Sequence, residues 1–238
     1  MIKSKIFLSL ILCLTLFLIT FMPIPGRSED LLGKAPGDIV KMPKPELSSK
    51  VPVEKALLMR RSVREYKSDA LKLSEVSQLL WAAQGITDPT GLRTAPSAGA
   101  LYPLEVYLIV GNVDTLSPGI YKYKPERHEL VMIAKGDKRS ELSVAALRQR
   151  WVKNCAAAIV FSAVYGRTTQ KYGERGVRYV HIETGHAAQN VYLQAVSLSL
   201  GTVVIGAFDD DEVKKVLHIT SKEQPLIIMP IGRIKGRD

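Results

Sequence analysis

Three guanidiniums and a hydroxyl crowd into five residues at Arg60-Arg61-Ser62-Val63-Arg64. Arginine offers bidentate, charge-assisted hydrogen bonds to phosphate or carboxylate, so this spacing describes an anion site. Each such bond, when well placed, is worth about 1.5–3 kcal/mol. Alone, the cluster equally fits a solvated basic helix end, which the helix dipole also favours. A second feature is the run Pro96-Ser97-Ala98-Gly99-Ala100, closed by Leu101-Tyr102-Pro103. Its small side chains let a backbone approach a flat ligand closely, and Gly99 adds conformational freedom; the bland reading is a surface turn. Gln189 and Asn190 lie within a long helical segment, where amides are costly to bury without partners. Ile205-Gly206-Ala207 ends an apolar run just before the acidic stretch Asp209-Asp210-Asp211, a place where free backbone amides could meet polar ring edges. Gly232-Arg233 follows the last apolar run and could add a cation.

These residues need elements to hold them. Ser49 and Pro52 mark a helix start, continued by Val53, Ala56, Leu57 and Arg60 at helical spacing. A second helix begins at Ser74, turns Val76, Leu79, Leu80 and Ala83 inward, and ends at Gly85. Residues 105–110 read as a strand, and 119–123 with 129–134 as two strands joined around Pro125. Asp137 caps a helix through Leu147, and 156–164 is a buried strand with Ser162 its one polar interruption. The longest helix spans 178–200 and is closed by Gly201. Strand 202–205, a helix through Leu217 capped by Asp209, and a last strand at 226–231 complete the chain. Strands and helices mix without strict alternation, so the expected class is α+β, a central sheet wrapped by helices.

The 238 residues are nearly half apolar and 24% charged, an ordinary globular composition. The net charge of +10 could attract nucleic acid. Its basic residues are interleaved with acids and accompany no nucleic-acid motif, so nucleic acid is not an expected partner. Cys13 and Cys155 offer no ligand spacing for a metal, and no metal is expected. Lys3 and Lys5 precede an apolar stretch from Ile6 to Met22 that Pro23, Pro25 and Gly26 end. Residues 1–28 thus read as a secretory signal or a retained membrane anchor, which places the protein outside the cytoplasm or on the cell envelope. Residues 29–50 read as a linker, and the catalytic body is expected over 51–238.

Taken together, the Arg60–Arg64 cluster, the Pro96–Pro103 run, Gly185 to Asn190 and Ile205-Gly206-Ala207-Phe208 are similar in order and spacing to the nitroreductase superfamily. The stretches from Arg93 to Pro103 and Lys171-Tyr172-Gly173-Glu174-Arg175-Gly176 look like SagB-type dehydrogenases, a group that includes the oxidases converting thiazolines and oxazolines to azoles in modified peptides. The resemblance implies a nitroreductase-like, FMN-binding fold and a homodimer with flavin at the subunit interface. It implies that Arg60, Arg61, Ser62 and Arg64 grip the flavin phosphate and pyrimidine edge, and that Pro96, Ser97, Ala98, Gly99 and Ala100 lie along the ring from the partner subunit. It places Gln189 and Asn190 in the cofactor site, Ile205, Gly206 and Ala207 beside the ring, and Arg233 at the phosphate. Lys171 and Tyr172 match the proton-transfer pair of the azoline oxidases. The implied activity is hydride transfer between FMN and a small organic substrate, with NAD(P)H as candidate electron donor. A non-catalytic flavin- or ligand-binding protein of the cell envelope is the alternative.

Overall fold

The computed structural model describes residues 36–236, so the apolar leader and the first part of the linker lie outside the described residues. Seven strands form one antiparallel sheet: β1 (Ile39–Lys41), β2 (Leu104–Val110), β3 (Gly119–Lys124), β4 (Glu129–Lys135), β5 (Ala157–Ala163), β6 (Leu200–Thr202) and β7 (Gln224–Arg233). Their spatial order is β1-β4-β3-β2-β5-β7-β6. Among the described residues seven helices accompany them: α1 (Val53–Met59), α2 (Leu73–Gln84), α3 (Arg139–Ala145), α4 (Arg150–Asn154), α5 (Gly166–Tyr172), α6 (Arg175–Ser197) and α7 (Asp210–Leu217). The α+β class expected from the pattern is the class observed.

The sheet is buried on both faces, and the two-residue period of a strand sorts its side chains between them. On one face Leu104, Val106, Leu108 and Val110 of β2 and Ile159 and Phe161 of β5 pack with Val76 and Leu79 of α2 and Val180 and Ala187 of α6. On the other, Tyr107 and Ile109 of β2 and Ala158 and Val160 of β5 pack with Leu142 of α3, Val152 of α4, and Val213 and Leu217 of α7. Two apolar faces explain why β5 reads as an unbroken apolar run.

Four places depart from the sequence pattern. Ile39–Lys41, placed in the linker, pairs with β4 in the register Ile39↔Val131 to Lys41↔Glu129, so the sheet begins before residue 51. Helices α4 and α5 are short and carry little apolar stripe, which hid them from periodicity. The long helix starts at Arg175 and stops at Ser197, because Ser199 adopts φ 57° and turns the chain. Residues 200–202 then pair with β7, while Ile205 reaches Ile228 through an isolated bridge. Gly201 is therefore a strand residue. A Cβ on it would stand 2.7 Å from the Val63 side chain, so this glycine admits the 62–64 segment rather than ending a helix. Among the described residues no helix is long and apolar enough to cross a membrane.

Candidate active site

At Arg60 the chain leaves α1 with φ −53°, ψ 124°. Two residues on, Ser62 bridges to Thr202 in parallel, and the Val63 amide donates to the Thr202 carbonyl at 2.9 Å. The arginine-rich segment thereby extends the sheet edge beside Val204 and Gly206. Tyr192 of α6 locks the junction: its hydroxyl stands 3.1 Å from Ser62 Oγ and accepts from the Val204 amide at 2.8 Å. The Arg60 guanidinium lies over the Tyr192 ring, 5.2 Å from its centre. Arg61 turns back and donates to the carbonyls of Leu58 (3.0 Å) and Arg60 (2.7 Å), tying off the orphan acceptors at the end of α1. Arg64 stacks over Trp151 at 5.7 Å. Arg233 is held by Glu75 through two bonds of 2.7 and 2.8 Å, with the Ala70 carbonyl at 3.3 Å. The four guanidiniums thus have separate partners, and Arg60 is the one gathered with Ser62 and Tyr192.

Beside this junction opens a cleft of about 610 Å³, within the usual range of ligand pockets. Gln189, Gly185, Tyr192, Gly206 and Phe208 line it. A Cβ on either Gly185 or Gly206 would meet nothing within 4 Å, so both glycines leave room on the cleft wall. Ile205 is buried in its bridge to Ile228, and the Ala207 carbonyl accepts from Gln149 Nε2 at 2.9 Å. Of that tripeptide, Gly206 is the one on the cleft. Tyr165 and His181 stand at the rim, joined hydroxyl to Nε2 at 2.5 Å.

The small-residue run lies on another flank of α6. Residues 98–100 form a single 3-10 turn with positive φ at Gly99 (63°) and Ala100 (53°). Ser97 Oγ accepts from the Tyr102 amide at 2.9 Å, and the Thr94 carbonyl accepts from Asn190 Nδ2 at 3.1 Å. Pro96, Gly99 and Ala100 are exposed, while Ser97 and Ala98 are half-buried. Lys171 and Tyr172, more than seventy residues away in sequence, close on Gly99. A Cβ there would stand 2.8 Å from the Tyr172 hydroxyl and 3.0 Å from Lys171 Nζ. They come from the last turn of α5, not a loop, and Tyr172 is braced edge-on by Tyr179 of α6 with ring centres 5.2 Å apart.

Helix α6 thus serves two assemblies. His181, Gly185, Ala188 and Tyr192 recur at helical spacing towards the cleft. Tyr179, Glu183 and Asn190 recur the same way towards the small-residue run. The two stripes are offset by two residues, roughly 200° around a helix, which puts them on opposite flanks.

The sequence pattern missed Tyr192, the Tyr165–His181 pair and Glu183. Glu183 alone left a usable signal, an acid seven residues before Asn190 on the same helical face. Cys155 is free and buried, its thiol pushed up to about 12 by burial, and is core rather than site. Among the described residues no group of three or more His, Cys, Asp or Glu could hold a metal.

The order of these parts along the chain matches a known family over most of its length: the profile of the nitroreductase family covers residues 57–233. The chain belongs to the nitroreductase family. A Methanocaldococcus jannaschii protein named as a nitroreductase is 49% identical over 197 residues, 83% of this chain and 98% of that one. The microcin B17-processing protein McbC of Escherichia coli is 29% identical over 171 residues; the match covers 69% of this chain and 63% of McbC. The crystal structure of a Ralstonia eutropha protein, also named as a nitroreductase, superimposes with a TM-score of 0.73 at 27% identity, over 86% of this chain and 94% of that one. Family membership makes this chain an oxidoreductase, and the match to McbC agrees with the SagB-type likeness read from Lys171-Tyr172.

Proposed function

We propose that this protein is an FMN-dependent enzyme that moves hydride between the flavin and a small organic substrate or NAD(P)H. The observation that carries the reading is the meeting of Lys171 and Tyr172 on Gly99, beside a run of small residues that leaves its backbone open. The cleft residues fit a flat phosphorylated ring: Gly185 and Gly206 leave space, and Arg60 and Ser62 supply a cation and a hydroxyl at the edge. Bound there, FMN would supply two-electron chemistry. The Arg60 guanidinium would stabilise negative charge developing on the ring. Phe208, Pro225 and Leu226 wall the cleft with apolar surface and limit water. Lys171 Nζ and the Tyr172 hydroxyl would take a proton from the substrate and return it to solvent.

The placement of the two assemblies supports a homodimer. Because they sit on opposite flanks of α6, a second copy that offers its small-residue run to this copy's cleft completes a site neither copy holds alone. Exposed Val53, Leu57, Leu58 and Met59 on α1 and Ile182 on α6 provide apolar surface for that contact. The leader is read as an export signal or anchor, a reading that subcellular fractionation tests.

The experiment is the visible spectrum of the purified protein, followed by stopped-flow reduction. A yellow protein releasing about one FMN per subunit is expected. Rapid bleaching by NADPH marks a reductase of quinones or nitroaromatics, and bleaching by an azoline substrate alone marks a dehydrogenase. A colourless protein that ignores added FMN rejects the proposal, and bound flavin that no donor reduces leaves a carrier in place of an enzyme.

A further inference from the structure

Beneath the small-residue run lies a carboxyl that the chemistry above does not use. Glu183, in the middle of α6, is 2% exposed, and its Oε1 has no hydrogen-bond partner. Gln84 Nε2, from the end of α2, and Arg93 Nε, from the following loop, are likewise buried without partners. Ser97, Gln84 and Arg93 all act on the Glu183 carboxyl. Buried polar atoms are normally paired. Three unmatched ones from three elements, gathered under one short segment, mark a place whose hydrogen bonding is not settled by a single arrangement.

The charge that faces Glu183 is the Arg93 guanidinium. Arg93 is committed elsewhere as well: it donates to Gln84 Oε1 at 3.0 Å, pairs with Glu126 at 3.1 Å and stacks over Tyr102 at 4.4 Å. From α2 the neighbour is the uncharged Gln84. From α6 itself Tyr179 precedes Glu183 by one turn, and Lys171 Nζ of α5 stands beyond Gly99. Burial pushes the carboxyl up to about 7, against the opposing pull of Ser97, Gln84 and Arg93. Both protonation states are therefore populated near neutral pH.

We propose that Glu183 is a positioning residue that, by taking up or releasing one proton at its carboxyl, sets the direction of the Ser97 hydroxyl and so the grip of this segment on flavin. A serine hydroxyl has one hydrogen to give and two lone pairs to offer. One lone pair already accepts from the Tyr102 amide. With Glu183 ionised, the Ser97 hydrogen donates inward to the carboxylate. When solvent protonates Glu183, the new O–H donates to the second Ser97 lone pair, and the Ser97 hydrogen is released outward to a ligand on the run. No other bond changes, and the proton returns to solvent on deprotonation.

This inference rests on the flavin reading, and its test separates the two. Full-length protein freed of flavin is titrated with FMN by fluorescence quenching between about pH 6 and 8, for wild type and Glu183→Gln. The ratio of the two affinities is the readout, because the ionisation of the FMN phosphate cancels in it. Glutamine is neutral at every pH and can always donate to Ser97. The two proteins should bind FMN equally at the acid end, with Glu183→Gln about fivefold tighter at the alkaline end. In a Ser97→Ala background the same substitution should produce no pH-dependent ratio, which a purely structural role for Glu183 would not predict. A ratio that stays constant with pH overturns the inference while flavin binding stands. Failure of wild type to bind FMN at any pH defeats both. Should Glu183→Gln not fold, the wild-type infrared difference spectrum decides: a protonated, buried carboxyl band must grow as pH falls through neutrality, and its absence overturns the proposal.

Discussion

On the flank of α6 facing β6 and β7, the cleft is built from ordinary structure. Ser62 and Val63 join a sheet edge, Tyr192 makes two hydrogen bonds, and Ile205 is bridged to Ile228. On the flank facing residues 94–100 the chain is irregular. Gly99, Ala100 and Tyr102 all take positive φ, and three buried polar atoms, Glu183 Oε1, Gln84 Nε2 and Arg93 Nε, lack partners, where the Ser62–Thr202 junction of the first flank has one, Thr202 Oγ1. Non-glycine residues in the left-handed region cost free energy and persist where surroundings over-determine them, commonly at functional sites. The first flank would hold a ligand rigidly, as the proposed flavin site requires. The second brings a lysine, a tyrosine and a titratable carboxyl to one exposed turn, which suits proton transfer.

If the flanks divide binding from proton transfer, substitutions should separate the two. The largest effect is expected from the second flank. Lys171→Ala and Tyr172→Phe should each lower the rate of flavin reduction by a proton-yielding substrate by about 10²–10⁴-fold. Flavin content, read from the visible spectrum, should stay unchanged. Loss of flavin instead of rate would abolish the division. On the first flank Arg60→Ala should weaken FMN binding by about ten- to a hundredfold, measured by fluorescence titration. Arg61→Ala should do far less, because that guanidinium is spent on the carbonyls ending α1. Equal losses from both would mean that the side chains rearrange around the cofactor.

The smallest expected effect tests whether the two flanks differ in firmness. His128, in the turn that carries Glu126 to Arg93, donates from Nε2 to the Pro43 carbonyl at 2.9 Å and accepts from the Tyr123 hydroxyl on Nδ1 at 2.8 Å. Burial holds its pKa below the ordinary imidazole value, the Pro43 carbonyl opposing this. The fold therefore prefers the neutral ring. Its contribution is complete above the unfolded-state pKa of about 6.5 and is lost as pH falls from there through the lower folded value. Hydrogen exchange on acidification should quicken at residues 94–100 before residues 185–192, and His128→Gln should remove the difference. Simultaneous loosening of both segments would show that they share one stability.

Much of this was legible in the residues. The apolar positions Val76, Leu79, Leu80 and Ala83 gave α2 its buried face, and Asp209 caps α7 by accepting from the Glu212 amide. The β3–β4 hairpin and the buried strand β5 follow the same local rules, because periodicity and capping involve neighbours in the chain. The strand at Ile39–Lys41 was not legible. Three residues of proline- and lysine-rich arm join a sheet only because β4 offers an unpaired edge.

The amino-acid sequence by itself determined the class of fold, the family and the inventory of chemical groups, since each is written in types and spacing along the chain. Tertiary structure alone decided which of those groups meet. It set Lys171 and Tyr172 on Gly99, dispersed four arginines among Tyr192, the end of α1, Trp151 and Glu75, and buried Glu183 beside Ser97. The physical reason is that burial and proximity depend on how α6 packs against the sheet and its neighbours. Contacts that long in sequence leave no periodic trace in it.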